Sequence, residues 1–135
     1  MRLLILVVFV ILCSGTSVFA ELLSVDDNDR YKSVIETNSI DKSKYPLISV
    51  ATYYSYKNNP SSKKFLSDMY GKALSSKIST SATDTYINCE ESKWMMGNMN
   101  LFDKKKKLLK TFEMGVIMNI EPNTTYAELK TFLCK

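Results

Sequence analysis

The sequence predicts an α+β fold. It is a small single domain in which two or three helices, one at about 60–78, pack on an antiparallel sheet of three to four strands, with one disulfide. Three observations carry this. Phe65, Leu66, Met69, Tyr70, Ala73, Leu74 and Ile78 form one stripe at helical spacing, opposite Lys63, Lys64, Ser67, Asp68, Lys72, Ser75 and Ser76. Phe112, Met114, Val116, Met118 and Ile120 alternate with Glu113, Gly115, Ile117, Asn119 and Glu121, the period of a strand. Cys89 and Cys134 are an even pair once Cys13 is assigned to a leader, and an even count in an exported chain favours one disulfide.

Residues 1–20 read as a secretory signal peptide. Met1-Arg2 is a minimal basic start, Leu3 to Cys13 is an unbroken apolar run, and Val18-Phe19-Ala20 places small side chains where a signal peptidase cuts. The apolar run is too short to span about 30 Å of hydrocarbon, which favours cleavage near Ala20 over a retained anchor. Residues 21–44 read as a weakly structured leader arm or a short helix. Asp26-Asp27-Asn28-Asp29 is polar, Ser24 and Asp27 have capping-box spacing, and Tyr31, Val34 and Ile35 share one helical face. The globular domain is expected over 45–135.

Leu47 to Tyr56 fits two patterns. Ile48, Val50, Thr52, Tyr54 and Tyr56 suit one face of a strand, while Pro46 before and Asn58-Asn59 after suit a helix. The helix is the favoured reading, giving a helix–turn–helix pair with the segment that Asn59 caps and Pro60 opens. Ser79 to Thr85 reads as a loop or frayed strand start, Thr85 to Cys89 as a strand, and Trp94 to Phe102 as apolar but irregular. Lys104 to Lys107 between apolar segments reads as a hairpin tip whose lysines keep a sheet edge soluble. Thr125-x-x-Glu128 before Leu129, Phe132 and Leu133 favours a closing helix over a closing strand.

Composition narrows function by exclusion. The chain has no histidine, so Ser–His and Cys–His catalysis and imidazole acid–base chemistry are absent. No phosphate-binding glycine loop occurs. Removing Arg2 with the leader takes the net charge from +4 to +3, and Arg30 is then the only arginine. Weak charge carried almost wholly by lysine argues against nucleic-acid recognition. The carboxylate clusters Asp26, Asp27, Asp29 and Glu90, Glu91 read as solvated turns, because glycoside hydrolysis needs two carboxyls facing each other across a cleft. Nothing in the sequence calls for a cofactor or a metal.

Four features remain as candidate sites. Trp94, Met95 and Met96, with Tyr53, Tyr54 and Tyr56, supply a candidate partner surface, since methionine repacks around varied partners and exposed tyrosine suits recognition. Lys104, Lys105, Lys106 and Lys107 supply a candidate contact for anionic surfaces, either acidic glycans or lipid headgroups. Asn123-Thr124-Thr125 is a glycosylation sequon, with Asn123 as the acceptor. Cys89 and Cys134 form the expected disulfide. A helix before a meander of strands in an exported domain resembles the cystatin-like inhibitors in outline. The Gln-x-Val-x-Gly and Pro-Trp elements of that family are missing, since Trp94 follows Lys93, and no family is assigned.

The reading is a secreted, non-enzymatic binding or interaction protein: an immune or host modulator, an inhibitor or a small-ligand carrier. Its expected partner is another protein. The alternative is a glycan- or anionic-membrane-surface binder through Lys104–Lys107, and the lesser alternative is a small hydrolase.

Overall fold

The computed structural model describes residues 21–135, and the signal peptide read over residues 1–20 lies outside the described residues. Nine strands form one large antiparallel sheet, with three short helices against it. The expectation of an α+β fold with a sheet of three to four strands is therefore corrected to a mostly β fold. Two segments account for most of the difference.

The first is residues 21–44. In place of a leader arm or short helix they form β1 (Leu22–Asp27), β2 (Tyr31–Glu36), a 3-10 turn (Thr37–Ser39) and β3 (Asp41–Lys44). The acidic cluster is the turn of the β1–β2 hairpin. Asn28 Oδ1 accepts the amides of Arg30 at 2.8 Å and Tyr31 at 3.0 Å, closing the chain on itself. The capping-box spacing of Ser24 and Asp27 falls inside β1 and caps nothing.

The second is β4 (Leu47–Tyr56), a ten-residue strand where a helix was favoured. Pro46 precedes a strand here. β4 pairs with β2 on one side and along nearly its whole length with β5 (Thr80–Asn88) on the other. Two ladders on a stretch rich in β-branched and aromatic residues outweigh the helix-start signal of one proline.

Beyond β5 the sheet forks. β6 (Lys93–Met96) pairs with one end of β5 and β7 (Asn98–Phe102) with the other. Gly97 sits at the fork, where its amide bonds Asp84 O at 2.8 Å and a Cβ would lie 3.3 Å from the Tyr86 ring. Next come β8 (Leu108–Glu113) against β7 and β9 (Ile117–Asn119) against β6. The long alternating strand expected over 112–120 is thus broken at Gly115, whose φ of +52° favours glycine. The break leaves Phe112 and Met114 on the core but turns Val116 and Met118 outward.

The helices cover one face of the sheet. α1 (Pro60–Tyr70) starts as expected, with Asn59 Oδ1 accepting the Ser62 amide at 2.8 Å and Pro60 in the first turn. The helical stripe does not run unbroken to Ile78. Gly71, at φ +85°, ends α1, and α2 (Lys72–Ser75) is a single further turn. α3 (Thr125–Leu133) closes the chain, capped by Thr124 Oγ1, one residue earlier than the capping-box pattern implies.

Ser62 is wholly buried, and its Oγ is the buried side-chain oxygen left without a partner among the described residues. A hydroxyl that has left water without a new bond destabilises, and alanine is the better helix former. Ser62→Ala should unfold in urea at an equal or higher midpoint, with a gain of up to about 1 kcal/mol. A loss of more than about 1 kcal/mol would show that the hydroxyl is bonded.

Candidate functional site

Strand register builds the site. On the helix-covered face β4 presents Ile48 and Val50, then Thr52, then Tyr54, while β5 presents Ser81, Thr83 and Thr85, then Ile87. The apolar residues fall into two groups. Leu129 and Leu133 of α3 pack on Leu23, Ile35, Ile48, Val50 and Ile87. Leu66 of α1 packs with Tyr54, Ile78, Met99 and Leu101. Between the groups the sheet surface is hydroxyl-bearing rather than apolar. Ser33, Thr52 and Thr85 are all buried there, and Thr52 Oγ1 and Thr85 Oγ1 share a hydrogen bond of 2.9 Å.

That polar strip floors a cavity of about 230 Å³. Tyr31, Tyr54 and Tyr126 wall it, and Asp26 and Thr124 also line it. The space is partly open to solvent, as a ligand cleft must be. Tyr126 is fixed from behind by Trp94, whose ring stacks on it at 3.8 Å and 9°. Tyr31 meets Tyr54 edge-on at 5.2 Å. Asp26 accepts from the Asn28 side chain at 3.1 Å and contributes the one carboxylate of the lining.

The phenols are held neutral. Burial pushes Tyr54 well above its ordinary value, and its bond to the Tyr126 oxygen adds to this. Burial likewise raises Tyr126 to about 12, partly offset by the bond from Tyr54. Tyr56 is raised by burial in spite of its 2.8 Å contact with Ser81.

The residues expected to form one partner surface are divided between the two sides of the sheet. Tyr54 is core and a cavity wall, Tyr56 is largely buried, Trp94 backs Tyr126, and Met96 packs into the second core group. Tyr53 and Met95 lie on the opposite, uncovered face. There Tyr53 donates to Glu36 Oε2 at 3.1 Å, and Met95 joins Leu47, Tyr86, Trp94 and Ile117 around a shallow groove. Lys104 to Lys107 occupy the β7–β8 turn as expected, where Asp103 Oδ1 accepts the amides of Lys105 at 2.8 Å and Lys107 at 3.0 Å. Asn123 is exposed in the turn before α3.

The acidic cluster at the β1–β2 turn has structural partners. Lys57 pairs with Asp27 at 2.6 Å and also meets Asn28 O, while the Ser61 hydroxyl donates to Asp29 at 2.6 Å. Among the described residues no group of three His, Cys, Asp or Glu could hold a metal. No helix among them is long and apolar enough to cross a membrane. Cys89 and Cys134 are bonded, as expected.

Sequence reasoning missed the cavity. Its floor of Ser33, Thr52 and Thr85 looks like ordinary strand or loop polarity. Only the pairing register aligns those three on one inward face. In the sequence Tyr31 fits a helical face, and nothing in the tail marks Tyr126 as a wall.

A neutral phenol is the form the fold holds, so this contribution is complete below about pH 10. It is lost as pH rises from there through the raised values. The phenolate absorbance of Tyr54, Tyr56 and Tyr126 should therefore appear only together with loss of far-ultraviolet dichroism. Ionisation of all eight tyrosines at an ordinary midpoint with the fold intact would contradict the burial described.

Comparison with known proteins finds no matching family model, no matching curated protein and no matching solved structure.

Proposed function

We propose that this chain is an exported, non-enzymatic binding protein that holds a small ligand in the tyrosine-walled cavity between the start of α3 and strands β1, β2, β4 and β5. The observation that carries the reading is the hydroxyl floor of a space of about 230 Å³ set between two apolar core groups. Ligand sites combine apolar walls with a few convergent polar groups, and here Tyr rings supply the walls while Ser33, Thr52 and Thr85 supply the polar groups. A volume of about 230 Å³ is smaller than a typical pocket for a drug-sized ligand and suits a compound of about one ring. Asp26 makes the lining favour neutral or cationic over anionic ligands.

Chemistry on the ligand lacks support in the lining. Asp26 is its one carboxylate, paired-carboxylate hydrolysis needs two, and neutral phenols with ordinary hydroxyls offer no activated nucleophile. Export rests on the leader read in the sequence and on a disulfide suited to an oxidising compartment.

Trp94 gives a direct readout, because it stacks on a cavity wall. Titration with single-ring alcohols, phenols and amines should change its fluorescence saturably for at least one class. Thr52→Val with Thr85→Val keeps the shape and removes both hydroxyls, which is near-neutral for stability when partners leave together. The double variant should bind about ten-fold more weakly, one hydrogen bond's worth, with little change in melting. Equal binding by the variant, or no fluorescence response to any class, would refute the reading.

A second reading is favoured by the uncovered sheet face. It is the protein partner expected from the sequence, seated beside β9. Ile117 is 65% exposed and Val116 66%, at a sheet end with no further strand beyond it among the described residues. Exposed apolar side chains beside unpaired strand backbone are suited to an extended partner segment. Such a partner would slow hydrogen exchange at β9, and its binding would be unchanged by Thr52→Val with Thr85→Val.

A further inference from the structure

A second recess, larger than the tyrosine-walled cavity, lies outside it. It has a volume of about 630 Å³ and opens between α1, α2 and the turns that follow β4 and β7. Four lysines line it: Lys57 from the β4–α1 turn, Lys63 from α1, Lys72 from α2 and Lys104 from the β7–β8 turn. No acidic residue lines it. Lys57 is committed to Asp27, whereas Lys63, Lys72 and Lys104 have no ion pair among the described residues. They come from three separate elements, so helix periodicity does not account for their meeting. Unneutralised like charge around one recess is unfavourable by itself and is relieved by a bound anion.

We propose that this recess binds a sulfated oligosaccharide. Three features select that chemistry. Lysines set apart around a rim act as separate point charges, which suits several dispersed sulfates better than one phosphate held by a fork of donors. Half-buried Tyr56 also lines the recess and offers an aromatic ring to a sugar. Ser67 and Ser79 add hydroxyls that match sugar hydroxyls. A concave site also takes a chain in preference to a flat lipid surface. Of the lysine run expected to contact anionic surfaces, Lys104 alone lines the recess, and Lys105, Lys106 and Lys107 stay at the hairpin tip. The site is therefore different from the one the sequence suggests, and it is independent of the tyrosine-walled cavity.

The test is calorimetric titration of the disulfide-intact protein with a heparin hexasaccharide. Lys63→Ala, Lys72→Ala and Lys104→Ala together should weaken binding about ten-fold, since each exposed contact contributes modestly. The triple variant should also flatten the dependence of affinity on salt. Lys105→Ala, Lys106→Ala and Lys107→Ala together remove as much charge from the tip and should change affinity less than about two-fold. Matching melting temperatures show that both variants fold. The proposal fails if the tip variant loses binding and the recess variant does not, or if both lose it equally, which is general charge attraction. It also fails if the desulfated hexasaccharide binds as tightly, if no binding is seen, or if phosphatidylserine vesicles bind more strongly than the hexasaccharide.

Discussion

The bond between Cys89 and Cys134 is the constraint on which the cavity depends. Cys89 follows the last residue of β5, and Cys134 is the C-cap of α3. A nine-residue helix is too short to be stable by itself in water, and it holds only while its apolar side is buried. The crosslink spans 45 positions in sequence, and closing such a loop in the unfolded chain is worth about 4 kcal/mol in the chain-entropy account. With its C-terminus fastened to β5, α3 lays Leu129 and Leu133 over Ile48, Val50 and Ile87 and sets Tyr126 above the threonine floor. Remove that anchor and the far wall of the cavity has only side-chain packing to hold it.

The sheet meets this arrangement with a deliberate change of chemistry along each strand. A continuous apolar face on β4 and β5 would draw α1 and α3 together into one core. Thr52, Thr83, Thr85 and Ser33 interrupt it, so the helices settle at opposite ends over separate apolar groups. Threonine suits this place because it favours strands and supplies a hydroxyl that a buried neighbour can satisfy, as Thr52 and Thr85 do for each other. The aromatic rings around the gap are coupled in the same way. Trp94 on β6 supports Tyr126 on α3, Tyr126 accepts from Tyr54 on β4, and Tyr54 meets Tyr31 on β2. One chain of contacts thus joins the helix to three strands across the sheet.

Local signals were legible where a residue's own neighbours decide the outcome. Asn59 and Pro60 mark the start of α1, Thr124 and its neighbours the start of α3, the lysine run a hairpin tip, and two cysteines one bond. Signals failed where distant partners decide. Residues 47–56 carry both a helix-start proline and a strand pattern, and the ladders to β2 and β5 choose between them. Residues 21–36 alternate too weakly to read as strands, because Ser33 points into the polar strip where an apolar residue would have revealed the period. The regular alternation over 112–120 overstates one strand, since Gly115 turns the chain midway. The cavity was illegible for the same reason as β2: its floor is made of residues whose inward direction is a property of register.

Hydrogen exchange on the oxidised protein and on the Cys89→Ser, Cys134→Ser double variant tests this account most directly. Without the crosslink the whole domain loses stability, but amides of residues 125–134 should lose at least about ten-fold more protection than those of β4 and β5, because α3 alone also loses its anchor. Unchanged protection of α3 in the variant would contradict the account, as would an equal loss in α3 and the paired strands. The first would mean that packing alone holds the cavity wall, and the second that the bond acts on the unfolded chain and not on the helix.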